Sequence, residues 1–204
     1  MPRTGFRSHG TLGKNETWML DSSQPDDLLG RALAAVDEGD GYRAELEKIR
    51  IPLYTTDAEG LVTYWNQACV NFAGRAPQLG SDRWCVTWRL FTLDGDPIPH
   101  DQCPMAMAIK QKRSIRTEVA IAMRPNGTRV AFRPYPTPLF NKAGELTGAI
   151  NMLVDISEEQ AEALNEQAAR CRRLANSTED KAARDILRTM ANGYDQSAAS
   201  LRSD

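Results

Sequence analysis

Two histidines and four cysteines hold most of the nucleophilic and metal-ligating chemistry in this 204-residue chain. His100 and Cys103 lie three positions apart in the stretch "IPHDQCPMAMAI", residues 98–109. An imidazole and a thiol at that spacing raise a metal or haem ligand pair as one chemistry. A second account needs no ligand. Pro99 and Pro104 bracket a turn, Pro104 suits the first turn of a helix, and Asp101 or Cys103 can accept from its free N–H groups. Met105, Ala106 and Ile109 then form an apolar face. The stretch is expected to be a helix start, with no metal bound and His100 a ligand only if haem is present.

Cys69, Cys85, Cys103 and Cys171 are separated by 16, 18 and 68 positions, with no C-x-x-C pair and no zinc spacing. Free thiols are expected, some of them buried as small apolar residues. The chain has no Gly-rich phosphate loop, no G-x-G-x-x-G, no H-E-x-x-H and no visible Ser-His-Asp or Cys-His arrangement. Catalysis is therefore not expected, and no catalytic residue is assigned.

The elements that would position these residues follow from composition and period. Apolar residues make up 41% and charged residues 25%, as in ordinary globular proteins. A net charge of −2 gives no reason to expect nucleic acid or an anionic membrane as partner. No apolar run approaches the roughly 20 residues that span a bilayer, and the first residues hold no secretory apolar segment. A cytoplasmic location is the expectation.

Residues 1–24 are polar and aperiodic, and are expected to be disordered. Residues 25–50 form a helical extension. In "DDLLGRALAAVDEG", Leu28, Leu29, Ala32, Leu33 and Val36 have helical spacing; Gly39 and Gly41 break it, and Leu46 and Ile49 mark a second short helix. Residues 51–157 change character. "LYTTD" and "LVTYWN" form a hairpin around "AEG", "QACVNFAG" is a brief helix, 75–103 lack a clear period, and "PMAMAIKQK" is the next helix. Three strands follow through the "RPNG" and "KAGE" turns, with prolines in "RPYPTP" disturbing the middle one. Residues 158–204 are two helices about "NSTED", with Ser157 as the expected cap of the first. The second carries a heptad-like stripe of Ala183, Leu187, Met190, Tyr194 and Leu201. An α+β domain with a five-stranded antiparallel sheet and helices on one face satisfies all these runs, flanked by the N-terminal helix and the C-terminal helical hairpin.

This arrangement resembles the PAS domain, a sensory module of bacterial signalling proteins. The resemblance rests on "LYTTDAEGLVTYWNQACVNFAG", with Asp57, Gly60 and Asn66 in the family's D-x-x-G turn and following Asn. It rests also on "RPNGTRVAFRPYPTPLFNKAGELTGAINMLVDISEE" and on the exit "DISEEQ". It covers about residues 50–158.

The resemblance implies a stand-alone sensory or signal-transduction module, working in a two-component system, with no output enzyme. The roughly 45 residues after Gln160 are too few for one. A ligand pocket between sheet and helices would be lined by Trp65, Phe72, Trp84, Trp88, Met105, Ile109, Phe132 and Asn151. These aromatics could equally be ordinary core. Arg83 and Arg89 could fork a carboxylate, although solvated surface is the expectation. Asp155, Ser157 and Glu158 would form the signal exit.

No cofactor is expected. Haem at His100 and a non-covalent flavin are the alternatives, and the N-C-R-F-L-Q motif of flavin-adduct sensors is missing. Small-molecule ligand, homodimer partner, and histidine kinase or response-regulator partner all remain open. A ligand-free dimerisation or docking adaptor is the competing function. The C-terminal stripe is either an interface or the seam of a hairpin folded on itself.

Overall fold

The computed structural model describes residues 24–201 apart from 38, 40 and 117. The disorder expected of residues 1–24 falls almost wholly outside the described residues.

The N-terminal extension is helical as its spacing demands. α1 (Gln24–Asp37) buries Leu29, Ala32 and Ala35, and α2 (Tyr42–Glu47) buries Leu46. Next come β1 (Leu53–Asp57), β2 (Val62–Trp65) and α3 (Gln67–Ala73). The β1–β2 turn is closed by Asp57, whose Oδ1 accepts from the Leu61 N–H at 2.8 Å. Asn66 joins three segments. Its Oδ1 caps α3 by accepting from Cys69 N and also accepts from Leu53 N, while its Nδ2 donates to the Ile49 and Ile51 carbonyls. Every polar valence of that fully buried amide is used, so it pins α2 and β1 against α3.

The aperiodic segment holds more order than its sequence suggested. β3 (Arg89–Phe91) and β4 (Pro97–Ile98) form a small hairpin on the sheet edge. A 3-10 turn at His100–Gln102 leads into α4 (Pro104–Gln111). The remaining strands are β5 (Ala120–Met123), β6 (Arg129–Pro134), β7 (Thr137–Phe140) and β8 (Leu146–Asp155).

The strand order is β2-β1-β8-β6-β5-β3-β4, with β7 also on β8 and every pairing antiparallel. Eight strands replace the five expected. β6 and β7 are one expected strand, interrupted around Pro134 and Pro136, which cannot donate to a ladder. β3 and β4 are too short for their alternation to register.

The second correction concerns the faces of the sheet. Helices cover both. On the inner face Tyr54, Val130, Phe132, Ala149 and Leu153 pack with Phe72 of α3 and with Met105, Ala106 and Ile109 of α4. On the outer face Leu53, Ile121, Ala131, Ile150, Met152 and Val154 pack with Leu29, Ala32, Leu46 and Ile49. β8 therefore reads AINMLV, apolar on both sides save for one amide, as expected of a strand covered twice.

α5 (Ser157–Ser177) and α6 (Lys181–Ser200) form an antiparallel hairpin. Its seam is made of small residues, Ala168, Cys171 and Ala191 with Tyr194 beside them, and its open end places Ala161, Ala198 and Leu201 in the outer-face core. α6 is capped by Asp180, which accepts from the Ala182 and Ala183 N–H groups. Met190 departs from the expected stripe: it is 45% exposed, because the helix phase set by Ala191 and Ala198 turns it outward.

Candidate functional site

The inner face gathers most of the expected pocket. Phe72, Met105, Ile109 and Phe132 lie in one buried cluster, and Trp65 and Trp84 pack against its edge. Phe72 meets Phe132 edge to face with ring centroids 5.3 Å apart. Trp88 is a correction. It is 42% exposed just before β3, its ring under the Arg89 guanidinium at 4.6 Å, and it lines the groove beside His100 rather than the buried cluster. Arg83 and Arg89 are exposed, as expected of solvated arginines.

Asn151 is on this face, but it is committed. Its Oδ1 accepts from Tyr135 N at 2.9 Å and its Nδ2 donates to the Tyr54 hydroxyl at 3.1 Å. Tyr54 in turn donates to the Trp84 carbonyl at 2.9 Å. Burial, with Cys85 and Cys103 nearby, pushes the Tyr54 phenol well above its usual range, so it stays a neutral donor. Tyr54 is the central polar residue missed from sequence. Its place opposite Asn151 on β8 depends on strand register, which "LYTTD" alone does not disclose.

Trp84 is held in an unusual pose. It has a φ of +68°, and its N–H donates to the Gly60 carbonyl at 2.7 Å. A Cβ on Gly60 would lie 2.2 Å from the Trp84 ring, so the D-x-x-G turn leaves room for the indole.

Around Trp84 lie two thiols. Cys103 caps α4, its Sγ accepting from Ala106 N at 3.5 Å, and its thiol reaches the Trp84 carbonyl at 3.8 Å. Cys85 Sγ is 3.1 Å from Thr87 Oγ1. The helix-start expectation for 98–109 is met, with Cys103 as the cap and Pro104 at the first turn. His100 is half-buried in the 3-10 turn and lines a groove of about 560 Å³ together with Asp82, Arg83, Trp84, Cys85 and Thr87.

Thr56 Oγ1 and Trp65 Nε1 are buried here without a hydrogen-bond partner, as is Arg75 Nε at the groove. Thr56 and Trp65 share the inner side of the β1–β2 hairpin, Thr56 opposite Ala149 and Trp65 opposite Tyr54.

The fit of cofactors can be judged on these contacts. His100 stands outside the inner-face cluster, so it does not fit axial ligation of a haem held there. For a flavin, the Asn66 and Asn151 amides are consumed internally, and Tyr54, Met105, Phe132 and Leu153 fill the centre of the face. These residues do not fit a bound flavin. Among the described residues no group of three or more His, Cys, Asp or Glu could hold a metal ion.

The exit lies at the end of β8. Asp155 Oδ1 accepts from Ser157 N at 2.8 Å, and the Ser157 hydroxyl accepts from Ala131 N at 3.0 Å on β6. Ile156, not Ser157, occupies the cap position of α5. Ser157 is already inside the helix, and its hydroxyl ties the first turn to the sheet. Glu158 is exposed in that first turn, where the helix dipole favours an acid, while Glu159 approaches Arg133 at 3.8 Å.

No protein-family model matches the sequence, and no curated protein matches it. Among solved structures, the chain is similar to the Rhodobacter sphaeroides LOV protein, at 14% identity over 87% of this chain and 96% of that chain, with a TM-score of 0.44. It is similar to the LOV domain of a blue-light activated histidine kinase from Erythrobacter litoralis, at 15% identity, 53% and 97% coverage and a TM-score of 0.39. It is also similar to the PAS domain of the fruit-fly ELK potassium channel, at 12% identity, 60% and 94% coverage and a TM-score of 0.39. Among the described residues no helix is long and apolar enough to cross a membrane. The β-β-α, short helices, α-β-β-β order expected from the sequence, elaborated by the edge hairpin, is present with every strand pairing antiparallel.

Proposed function

We propose that this chain is a sensory module in which a cue at the Trp84–Tyr54 region is relayed along β8 into the α5–α6 hairpin. One observation carries this reading: the uninterrupted path from the Trp84 carbonyl through the Tyr54 hydroxyl and the Asn151 amide to β8, which only Ile156 separates from α5. A rigid strand with a fixed hydrogen bond at one side and a helix at its end can transmit a displacement, provided the cue prefers one of two states.

The cue would be a small polar molecule. Thr56 Oγ1 and Trp65 Nε1 support this, as buried groups with unspent hydrogen-bonding capacity at the edge of an apolar cluster. No cofactor enters this reading. An absorbance spectrum of the purified protein without a visible band is the expected result, and a haem or flavin band would overturn that part.

The exposed apolar side chains Leu174, Ile186 and Met190 on the hairpin favour a second element: association with another copy or with a histidine kinase or response regulator. Output then passes through a partner rather than through a catalytic step of this chain.

Hydrogen exchange tests the relay. Tyr54→Phe should raise exchange in the first two turns of α5, and Ser157→Ala should do the same without changing exchange at Trp84. Unchanged exchange in α5 for Tyr54→Phe would sink the relay.

A further inference from the structure

Four cysteines are buried, but two differ from the rest. Cys69 donates to the Leu53 carbonyl at 3.2 Å, and Cys171 lies in the seam of the helical hairpin, outside the sheet core. Cys85 and Cys103 share the inner-face cluster, and the Cys103 thiol lies 3.8 Å from the carbonyl of Trp84, the residue before Cys85. They come together because Cys103 starts α4 while Cys85 follows the left-handed Trp84, and the Trp84 carbonyl is itself within reach of the Cys103 thiol.

Access to the two is unequal. Cys85 is 4% exposed and lines the groove that also holds His100 and Thr87. Cys103 is 1% exposed and does not line that groove. An attacking thiol at the wall of a groove with a second thiol sheltered from it is the arrangement of a thiol pair that is oxidised in two stages.

We propose that Cys85 and Cys103 are a peroxide-responsive dithiol, with Cys85 attacking hydrogen peroxide and Cys103 resolving the product into a Cys85–Cys103 disulfide. In the first stage the Cys85 thiolate sulfur bonds one peroxide oxygen, the O–O bond breaks, and the leaving hydroxide takes up a proton to become water. Cys85 is then a sulfenic acid. In the second stage the Cys103 sulfur bonds the Cys85 sulfur and the S–OH bond breaks. The hydroxyl leaves as a second water with the Cys103 proton. Two thiols have lost two electrons and two protons, and one peroxide has become two waters.

The size of the oxidant follows from burial. A cysteine residue only 4% exposed at a groove wall suits a peroxide of two heavy atoms, whereas a tripeptide disulfide needs a sulfur it can approach in line. The electrostatics agree. The neighbouring Cys103, with His100 and Thr87, holds Cys85 below the usual thiol range against the effect of burial. That pairing, together with burial, holds Cys103 above it. The groove-side thiol is thus the better nucleophile and the sheltered thiol the better reserve.

This chemistry stands whether or not the hairpin relays a signal. The full chain is treated with hydrogen peroxide, remaining thiols are alkylated, and peptides are mapped without reductant. The expected wild-type result is a mass loss of about 2 Da and a peptide pair joining Cys85 to Cys103, both reversed by dithiothreitol. Cys103→Ser, which keeps an oxygen acceptor at the helix cap, should instead give a Cys85 sulfenic acid trapped by dimedone. Cys85→Ser should give no adduct at Cys103. Free thiols at both positions after peroxide treatment of the wild type would overturn the proposal. So would preferential oxidation of Cys69 or Cys171. The wild-type map decides the matter even if a variant fails to fold.

Discussion

The Tyr54 hydroxyl sits 2.9 Å from the Trp84 carbonyl, so one phenol fastens the first strand of the sheet to a backbone turn thirty residues later. The same oxygen accepts from the Asn151 amide. Tyr54→Phe keeps the ring and its packing but deletes the donor and the acceptor together. Asn151 Nδ2 is then buried without a partner, and the Trp84 carbonyl keeps only a long thiol contact. A loss of about 1–3 kcal/mol is expected, since the cost is the desolvation of groups left unpaired rather than a cavity. Urea unfolding with an unchanged denaturant slope is the measurement. A variant as stable as the wild type would mean that the Tyr54 bonds contribute nothing net.

Gly60 gives a sharper steric forecast. Its φ of +86° disfavours any side chain, and a Cβ would meet the Trp84 ring at 2.2 Å. The indole is held by its own backbone bond to Gly60, so it has little freedom to retreat. Gly127 has nearly the same φ, +90°, with nothing near its Cβ direction. Gly127→Ala should cost about 1 kcal/mol from the backbone alone, and Gly60→Ala at least about 2 kcal/mol more from overpacking. Thermal unfolding of the two variants compared side by side separates the terms, because only the clash differs between them.

The parts of this fold legible in sequence are those with local causes. The Asp57–Gly60 turn, the Cys103–Pro104 helix start and the stripe of α1 each depend on residues within a few positions. The hairpin at β3 and β4 was missed because strands of three and two residues carry too little alternation to read. The covering of both sheet faces was missed for a different reason. It depends on where α1 and the open end of the α5–α6 hairpin dock, a long-range outcome that amphipathic spacing does not specify. Phe72, Met105, Ile109 and Phe132 come together in one buried cluster because bulky apolar residues on neighbouring elements have few other places to go. Trp88 was misplaced because aromatic character was taken as burial, although its ring, just before β3, lies at the surface under Arg89. Tyr54 and the Cys85–Cys103 meeting lay beyond reach, since both are set by strand register and by the left-handed turn at Trp84.

Alkaline pH should weaken the fold, and the sign follows from the buried acids. Burial pushes Cys69 above the usual thiol range, contact with Cys85 and burial do the same to Cys103, and burial raises Tyr54. Above the pKa of each unfolded group, the unfolded chain has lost a proton that the native chain keeps. Unfolding then releases protons, and stability falls as pH rises, by about 1.4 kcal/mol per pH unit for each such group. Cys85 runs the other way: its lowered value adds stability as pH rises toward the ordinary thiol range, and that contribution fades as pH falls through the lowered value. Two raised thiols outweigh one already ionised, so the melting temperature should drop from about pH 8.5 upward and more steeply past about pH 10, where tyrosine joins. Tyr54→Phe should reduce the steeper part, the remainder coming from Tyr64, which burial and its bond to Glu47 also raise. A melting temperature flat from pH 8 to 11 would contradict this assignment of buried acids.

The hairpin leaves Ile186 and Met190 61% and 45% exposed, one turn apart on α6, while Leu174 near the end of α5 is 48% exposed. Side chains four apart on a helix lie on one face, so Ile186 and Met190 form a continuous apolar ridge near the closed end of the hairpin. The hairpin's own seam does not need them, because Ala168, Cys171, Ala191 and Tyr194 already close it. Association of two copies through this end would bury the ridge twice. Each large apolar side chain removed from water contributes about 1.5–3 kcal/mol. Replacing both, as Ile186→Gln with Met190→Gln, should therefore raise the dissociation constant by at least about tenfold. Sedimentation velocity across a concentration series is the direct readout, with circular dichroism showing that both proteins keep their helix content. If the wild type is a monomer throughout, or the variant associates as tightly as the wild type, the ridge is not the interface.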